Sequence, residues 1–383
     1  VMCVCGLGQF DLKVNGISVS DDVLKGAWTD YNKHIMYYTY DIASLLKKGD
    51  NEIFAEIANG WFIGDTDNGR HFYTMDKGYK PFGECLAFIC EIDIAGVKIV
   101  SDQTWKVLKS ATTLANVYGS EDYDNLYYDG IYKMQWENAS VLKNSDIPEG
   151  KLIPMTYPPV IIKKSYGVKS VSNPSEYTYI LDFGQNMSGM FEITVKGHRG
   201  DKIKVTPVEK LDKSGNIEKT TDTWSVYTLS GKGEEKFCPK FSYVGARWIQ
   251  VENCTMESDE STVPQILDAK GHFITSGAED TGYFRCSDEN YNKIFDLILK
   301  AVESNLNHCH TDCPTIEKLG WLEPNHLMAK GIMYCKNVDT LWNKIAMDMR
   351  DAQYTKDEFD VDKGIFPYEY KAGLIPNIAP RYA

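Results

Sequence analysis

Apolar residues in this 383-residue chain recur with a period of two up to about residue 270 and with a helical period beyond about residue 272. That change of rhythm limits the architectures open to it. Phe10, Leu12 and Val14 alternate with Asp11 and Lys13, and Asn15-Gly16 marks a hairpin turn into Ile17 and Val19. Ile53-Phe54-Ala55-Glu56-Ile57 reads as a further strand. Short strands parted by Gly and Asn turns predict an antiparallel, jelly-roll-like β-sandwich over residues 1–152. Residues 151–160 carry Pro154, Pro158 and Pro159 and read as a linker. A second β-sandwich is expected over 153–270, where Phe191-Glu192-Ile193-Thr194-Val195, Lys202-Ile203-Lys204-Val205 and Trp248-Ile249-Gln250-Val251 repeat the pattern. Residues 271–383 read as helices. Ser287 is the expected N-cap of the first, along which Tyr291, Ile294, Phe295, Ile298, Leu299 and Val302 recur at helical spacing, and another helix runs from about Asp339 to Gln353.

Between two helical stretches lies His308-Cys309-His310-Thr311-Asp312-Cys313-Pro314-Thr315-Ile316-Glu317-Lys318-Leu319-Gly320-Trp321-Leu322-Glu323. Pro314 and Gly320 break the helical period, so the segment is expected as a connection, and loops held between rigid elements often carry catalytic side chains. Three carboxylates (Asp312, Glu317, Glu323) stand close to Trp321. Two carboxyls whose environments hold one protonated and the other ionised are the minimum equipment of glycoside hydrolysis. The bland alternative for each is a surface charge or a helix cap. His308, Cys309, His310 and Cys313 also raise a zinc reading, but their spacing fits no standard structural site, and no metal is expected there. Asp65-Thr66-Asp67-Asn68-Gly69 places oxygen ligands at alternate positions as calcium loops do, yet lacks the bidentate Glu, and the plain-turn reading outweighs calcium. No cofactor is expected. A net charge of −13 argues against nucleic acid, where cations must neutralise phosphates. No apolar run is long enough for a membrane helix.

The motifs carry a family resemblance. Asp312-Cys313-Pro314 followed by Glu317-Lys318-Leu319-Gly320-Trp321 resembles the signature of bacterial α-L-rhamnosidases of glycoside hydrolase family 78. Trp28-Thr29-Asp30-Tyr31, Tyr118-Gly119-Ser120-Glu121-Asp122-Tyr123-Asp124, Asp182-Phe183-Gly184-Gln185-Asn186-Met187 and Phe241…Tyr243…Gly245…Arg247-Trp248 are similar to segments of the same family, in the same order. The resemblance implies inverting hydrolysis of terminal α-L-rhamnosyl bonds in a glycan or glycoside, with the two sandwiches followed by the first helices of an (α/α)6 barrel. It implies Glu317 as general acid, Asp312 as the carboxylate that holds sugar hydroxyls, Glu323 near a further acidic position, and Trp321 as a stacking or desolvating wall. Thr315-Ile316 stands where the family commonly has an Arg. No residue matches the family's distant general base, so the chain is expected to be an incomplete barrel with little activity alone. The competing expectation is a non-catalytic carbohydrate-binding or scaffold protein on the same sandwiches. The compartment, bacterial cytoplasm or periplasm, and the oligomeric state stay open.

Overall fold

The computed structural model describes residues 1–64, 70, 82–127, 135–257, 262–355 and 373–381. Its first unit pairs two sheets. A five-stranded sheet has the order Lys151–Pro154, His34–Tyr40, Met2–Leu7, Ala87–Ile94, Val97–Val100, and a three-stranded sheet the order Ile17–Ser18, Gln9–Val14, Ile53–Ala58. The chain passes from one sheet to the other at Gly8, whose φ is +107° and where a Cβ would stand 2.1 Å from the Ala58 carbonyl oxygen, so only glycine fits. The alternation read from the sequence places Phe10, Leu12 and Val14 inward, against Met2, Val4, Tyr38, Cys90 and Ile92. Asn15 and Gly16 both have positive φ, as the expected two-residue hairpin turn requires.

The expected linker is partly strand. Lys151–Pro154 pairs parallel with His34–Tyr37 as an edge of the first sheet, and proline at the end of an edge strand costs no ladder bond. The second unit is a ten-stranded sheet built on the 19-residue strand Thr178–Lys196, which pairs with Val244–Glu252 and Gln265–Ser276. It also takes in Thr112–Asn116 and Ser120–Asp124, the latter running parallel to Ser225–Thr228. The hydrogen bonding of the second sheet therefore begins well before residue 153.

Helix α1 (Glu289–Asn305), α2 (Leu322–Cys335) and α3 (Asp339–Asp351) follow. The cap of α1 is Asp288, not Ser287: its carboxylate accepts the Asn290 N–H at 2.9 Å. The shift by one residue follows from Asn292, whose side chain bonds both backbone groups of Cys286 at 2.9 Å and keeps that stretch outside the helix. The inner faces of the helices (Val302, Leu306, Ile332, Leu341, Ile345) share a core with Trp28, Tyr31 and Phe62 of the first unit and with Tyr118, in the turn between Thr112–Asn116 and Ser120–Asp124. Within it the Trp28 and Trp61 rings stack at 3.9 Å. Ile294 and Ile298, members of the apolar repeat, are exposed on α1, together with Leu327 and Tyr334 on α2. All ten cysteines are free thiols. Among the described residues no helix is long and apolar enough to cross a membrane.

Four buried groups set an unusual pH response. Burial raises the Glu121 carboxyl from 4.5 to about 7 and Asp348 from 3.8 to about 7, and lowers His308 and His310 from 6.5 to about 4. For the carboxyls, the folded state keeps a proton that the unfolded chain has lost, so stability falls as pH rises from about 4 to 7. For the imidazoles, the unfolded chain takes up a proton that the fold refuses, so stability falls as pH drops from 6.5 to 4. The two pairs oppose one another over nearly the same window. Glu121 Oε2 accepts the Lys240 and Phe241 amides at 2.8 and 2.9 Å, an arrangement glutamine can keep. Glu121→Gln should therefore match the parent near pH 5 and exceed it at pH 8, by up to about 3 kcal/mol. It should also lose stability more steeply on acidification below pH 6.5. Urea unfolding at pH 5, 6.5 and 8 checks both signs.

Candidate active site

The segment between α1 and α2 is a loop that bonds to itself and then to the second β unit and the C-terminal segment. Its closing pair is Asp312 and Leu319: Asp312 N–H donates to the Leu319 carbonyl, and Leu319 N–H donates to Asp312 Oδ1, both at 3.0 Å. Inside that ring the Glu317 N–H points at Cys313 Sγ at 3.3 Å. The reversal needed to close it falls on Lys318, a non-glycine residue in the left-handed region at φ +54°.

The loop is docked at four places. Tyr118 Oη donates to the Glu317 carbonyl at 2.6 Å. Lys318 Nζ donates to the carbonyls of Val117 and Tyr243 at 2.7 and 2.6 Å. Gly245 N–H donates to the Pro314 carbonyl at 3.0 Å, and Thr315 Oγ1 donates back to the Gly245 carbonyl at 3.3 Å. At the far end Ala379 N–H donates to the Gly320 carbonyl at 3.0 Å and Leu322 N–H to the Asn377 carbonyl at 2.8 Å. Residues distant in sequence thus converge on a ten-residue loop, and Glu317 lies where they meet.

Trp321 Nε1–H donates to Glu317 Oε2 at 2.6 Å, and both side chains are half-buried. The structure therefore brings Glu317 and Trp321 into contact through a hydrogen bond, where the sequence suggested a stacking or desolvating wall. Asp312 lies in the same loop with one carboxylate oxygen committed to the Leu319 amide. Glu323 is exposed in the first turn of α2, two positions after Trp321, where a negative charge also suits the helix dipole. Ile316, at the position where a cation was expected, is half-buried against the core shared with the helices.

His308 spends both ring nitrogens on hydrogen bonds, to Tyr157 Oη and to the Leu24 carbonyl, each at 2.8 Å. Among the described residues no three His, Cys, Asp or Glu side chains gather as a metal site. The candidate calcium loop, Asp65 to Gly69, lies outside the described residues. Sequence reasoning missed Tyr118, Tyr243 and Lys318 as partners of the loop. A lysine between Glu and Leu in a connection reads as a solvated charge, and nothing local announces that it is fully buried.

A carboxylate loop bound to an indole, braced by the β scaffold and opening into helices, has the build of a glycosidase-class protein. Three family profiles cover almost the whole chain: the α-L-rhamnosidase N-terminal domain over residues 1–164, the bacterial α-L-rhamnosidase concanavalin-like domain over 172–270, and the bacterial α-L-rhamnosidase 6 hairpin glycosidase domain over 279–383. The chain belongs to the bacterial α-L-rhamnosidase family. An α-L-rhamnosidase of Formosa agariphila is 28% identical over 362 residues, spanning 91% of this chain and 37% of that protein. One of Streptomyces avermitilis is 28% identical over 373 residues, spanning 92% and 34%. The solved structure of the Streptomyces avermitilis α-L-rhamnosidase complexed with L-rhamnose matches with a TM-score of 0.83 and 26% identity, over 99% of this chain and 35% of that one. That of the α-L-rhamnosidase from Dictyoglumus thermophilum matches at 0.80 and 28%, over 100% and 40%. The chain spans 34% to 39% of the length of the curated relatives it matches.

Proposed function

We propose that this chain supplies the acid side of an inverting α-L-rhamnosidase, acting on terminal α-L-rhamnosyl residues of glycans or glycosides. The observation that carries the reading is the Trp321–Glu317 hydrogen bond inside the clamped loop. An indole N–H can only donate, so Oε2 is held as the accepting oxygen of the carboxyl. Oε1 is then the oxygen left to carry a proton to the glycosidic oxygen of the leaving group. Asp312, braced through one oxygen, keeps the other for sugar hydroxyls. Trp321 and Glu323 complete the substrate side. Helices α1 to α3 are read as the opening helices of an (α/α)6 barrel. Inversion also needs a second carboxyl, roughly 6.5–9.5 Å from the first, to activate water on the opposite face of the sugar. No residue of this chain is assigned that role.

The test is hydrolysis of 4-nitrophenyl α-L-rhamnopyranoside by protein expressed from the complete reading frame that encodes these residues. Proton NMR of the first-formed sugar gives the stereochemistry. Nitrophenol release with β-L-rhamnose appearing first is the expected result. The α-anomer appearing first overturns the inverting mechanism. L-rhamnose binding with no hydrolysis of any rhamnoside overturns the enzyme reading in favour of a carbohydrate-binding protein.

A further inference from the structure

Lys318 is fully buried, yet its ammonium meets neutral groups. Besides the Val117 and Tyr243 carbonyls, its neighbours are two phenol rings, with Nζ 4.8 Å from the Tyr243 ring centre and 5.7 Å from that of Tyr118. Among the described residues no carboxylate stands within ion-pair distance of it. A buried cation without a counter-ion is costly, and so is a left-handed backbone at a residue with a Cβ. Two costs at one position, beside the acid, call for a return other than stability. Val117 follows the strand Thr112–Asn116, and Tyr243 precedes the strand Val244–Glu252. The side chain therefore reaches two separate parts of the β scaffold. Its neighbour Tyr118 holds the carbonyl of Glu317 itself.

We propose that Lys318 is the positioning residue of the acid: it ties the turn that carries Glu317 to the Val117 and Tyr243 carbonyls and so fixes the carboxyl against the Trp321 indole. Burial lowers the ammonium to about 7. A neutral amine still has two N–H donors, enough for both carbonyls, so the tie survives loss of the proton. The role of Lys318 in turnover rests on the rhamnosidase reading; its role in placing the carboxyl does not.

The test compares Lys318→Met, Lys318→Arg and Tyr118→Phe, expressed from the complete reading frame. One readout is kcat and KM on 4-nitrophenyl α-L-rhamnopyranoside per folded molecule. The other is the 15N-indole NMR signal of Trp321, assigned through Trp321→Phe. Lys318→Met should lower kcat about 100-fold with KM nearly unchanged, as a displacement of about 1 Å does. It should also move the Trp321 signal upfield as the carboxylate bond is lost. Lys318→Arg, which keeps donors, should recover kcat to within about tenfold of the parent. If Lys318→Met does not fold, Tyr118→Phe decides: a roughly tenfold lower kcat with a shifted indole signal is expected. An unmoved indole signal with normal kcat per folded molecule, in whichever variant folds, overturns the proposal. If the parent hydrolyses no rhamnoside, the functional reading falls, and the indole signal alone still decides whether Lys318 places Glu317.

Discussion

Glu317→Gln should lower kcat for an alkyl or unactivated aryl α-L-rhamnoside by about 1,000-fold and leave KM within a few-fold. General acid catalysis by a positioned side chain contributes roughly 10²–10⁴. The substitution removes the transferable proton and little else. The glutamine carbonyl can accept the Trp321 indole as Oε2 does, and the backbone ties to Tyr118 and Cys313 are untouched. The fold and the thermal midpoint should therefore be preserved, which separates chemistry from collapse. The loss should also depend on the leaving group. A dinitrophenolate departs without protonation, so the variant should hydrolyse that substrate within about tenfold of the parent. A nitrophenol needs partial help and should fall between. Equal losses across the series would mean that Glu317 acts on binding or on structure. Full activity on all of them would remove it from the acid role.

What the sequence revealed depended on whether the cause was local. Alternation at Phe10, Leu12 and Val14 is a local signal, and those side chains do face the core. The turn at Asn15-Gly16 is local too. Strand partners are not: Thr112–Asn116 and Ser120–Asp124 fall within residues 1–152, the expected first sandwich, and nothing in their sequence says that they hydrogen-bond into the second sheet. Pro154, Pro158 and Pro159 suggested a linker because proline disfavours strands, but an edge position removes that objection for Pro154. Ile294 and Ile298 carry the right spacing for burial yet lie exposed, since periodicity finds an apolar face without naming what it packs on. The loop shows the same division. The Glu317–Trp321 pair was legible by proximity in the chain. That Tyr118 and the Tyr243 carbonyl hold the loop in place was not, because those contacts span 199 and 75 positions.

Gly320→Ala should cost about 3–5 kcal/mol of stability and reduce kcat for a reason unrelated to backbone freedom. The sequence suggested that Gly320 breaks a helical period. In the structure its φ is not in the left-handed region; what matters is the opposite chain. A Cβ on Gly320 would lie 2.2 Å from the Ala379 carbonyl oxygen and 3.1 Å from its carbon, both backbone atoms that no rotamer change can move. The segment around Ala379 would have to back away and lose the Ala379–Gly320 and Leu322–Asn377 hydrogen bonds, which hold the residues on either side of Trp321. Overpacking typically costs 1–3 kcal/mol, and each lost backbone bond adds about 1 kcal/mol. With Trp321 displaced, its indole no longer sets the orientation of Glu317, so kcat should fall with the stability. Gly331 provides the control. It lies in α2 with nothing within 4 Å of a built Cβ. There alanine relieves the entropic penalty of glycine in a helix and should stabilise by up to about 1 kcal/mol, leaving kcat unchanged. The same one-carbon change thus carries opposite signs at two glycines eleven positions apart. A Gly320→Ala variant that melts with or above the parent would show that the Ala379 segment does not hold the acid loop.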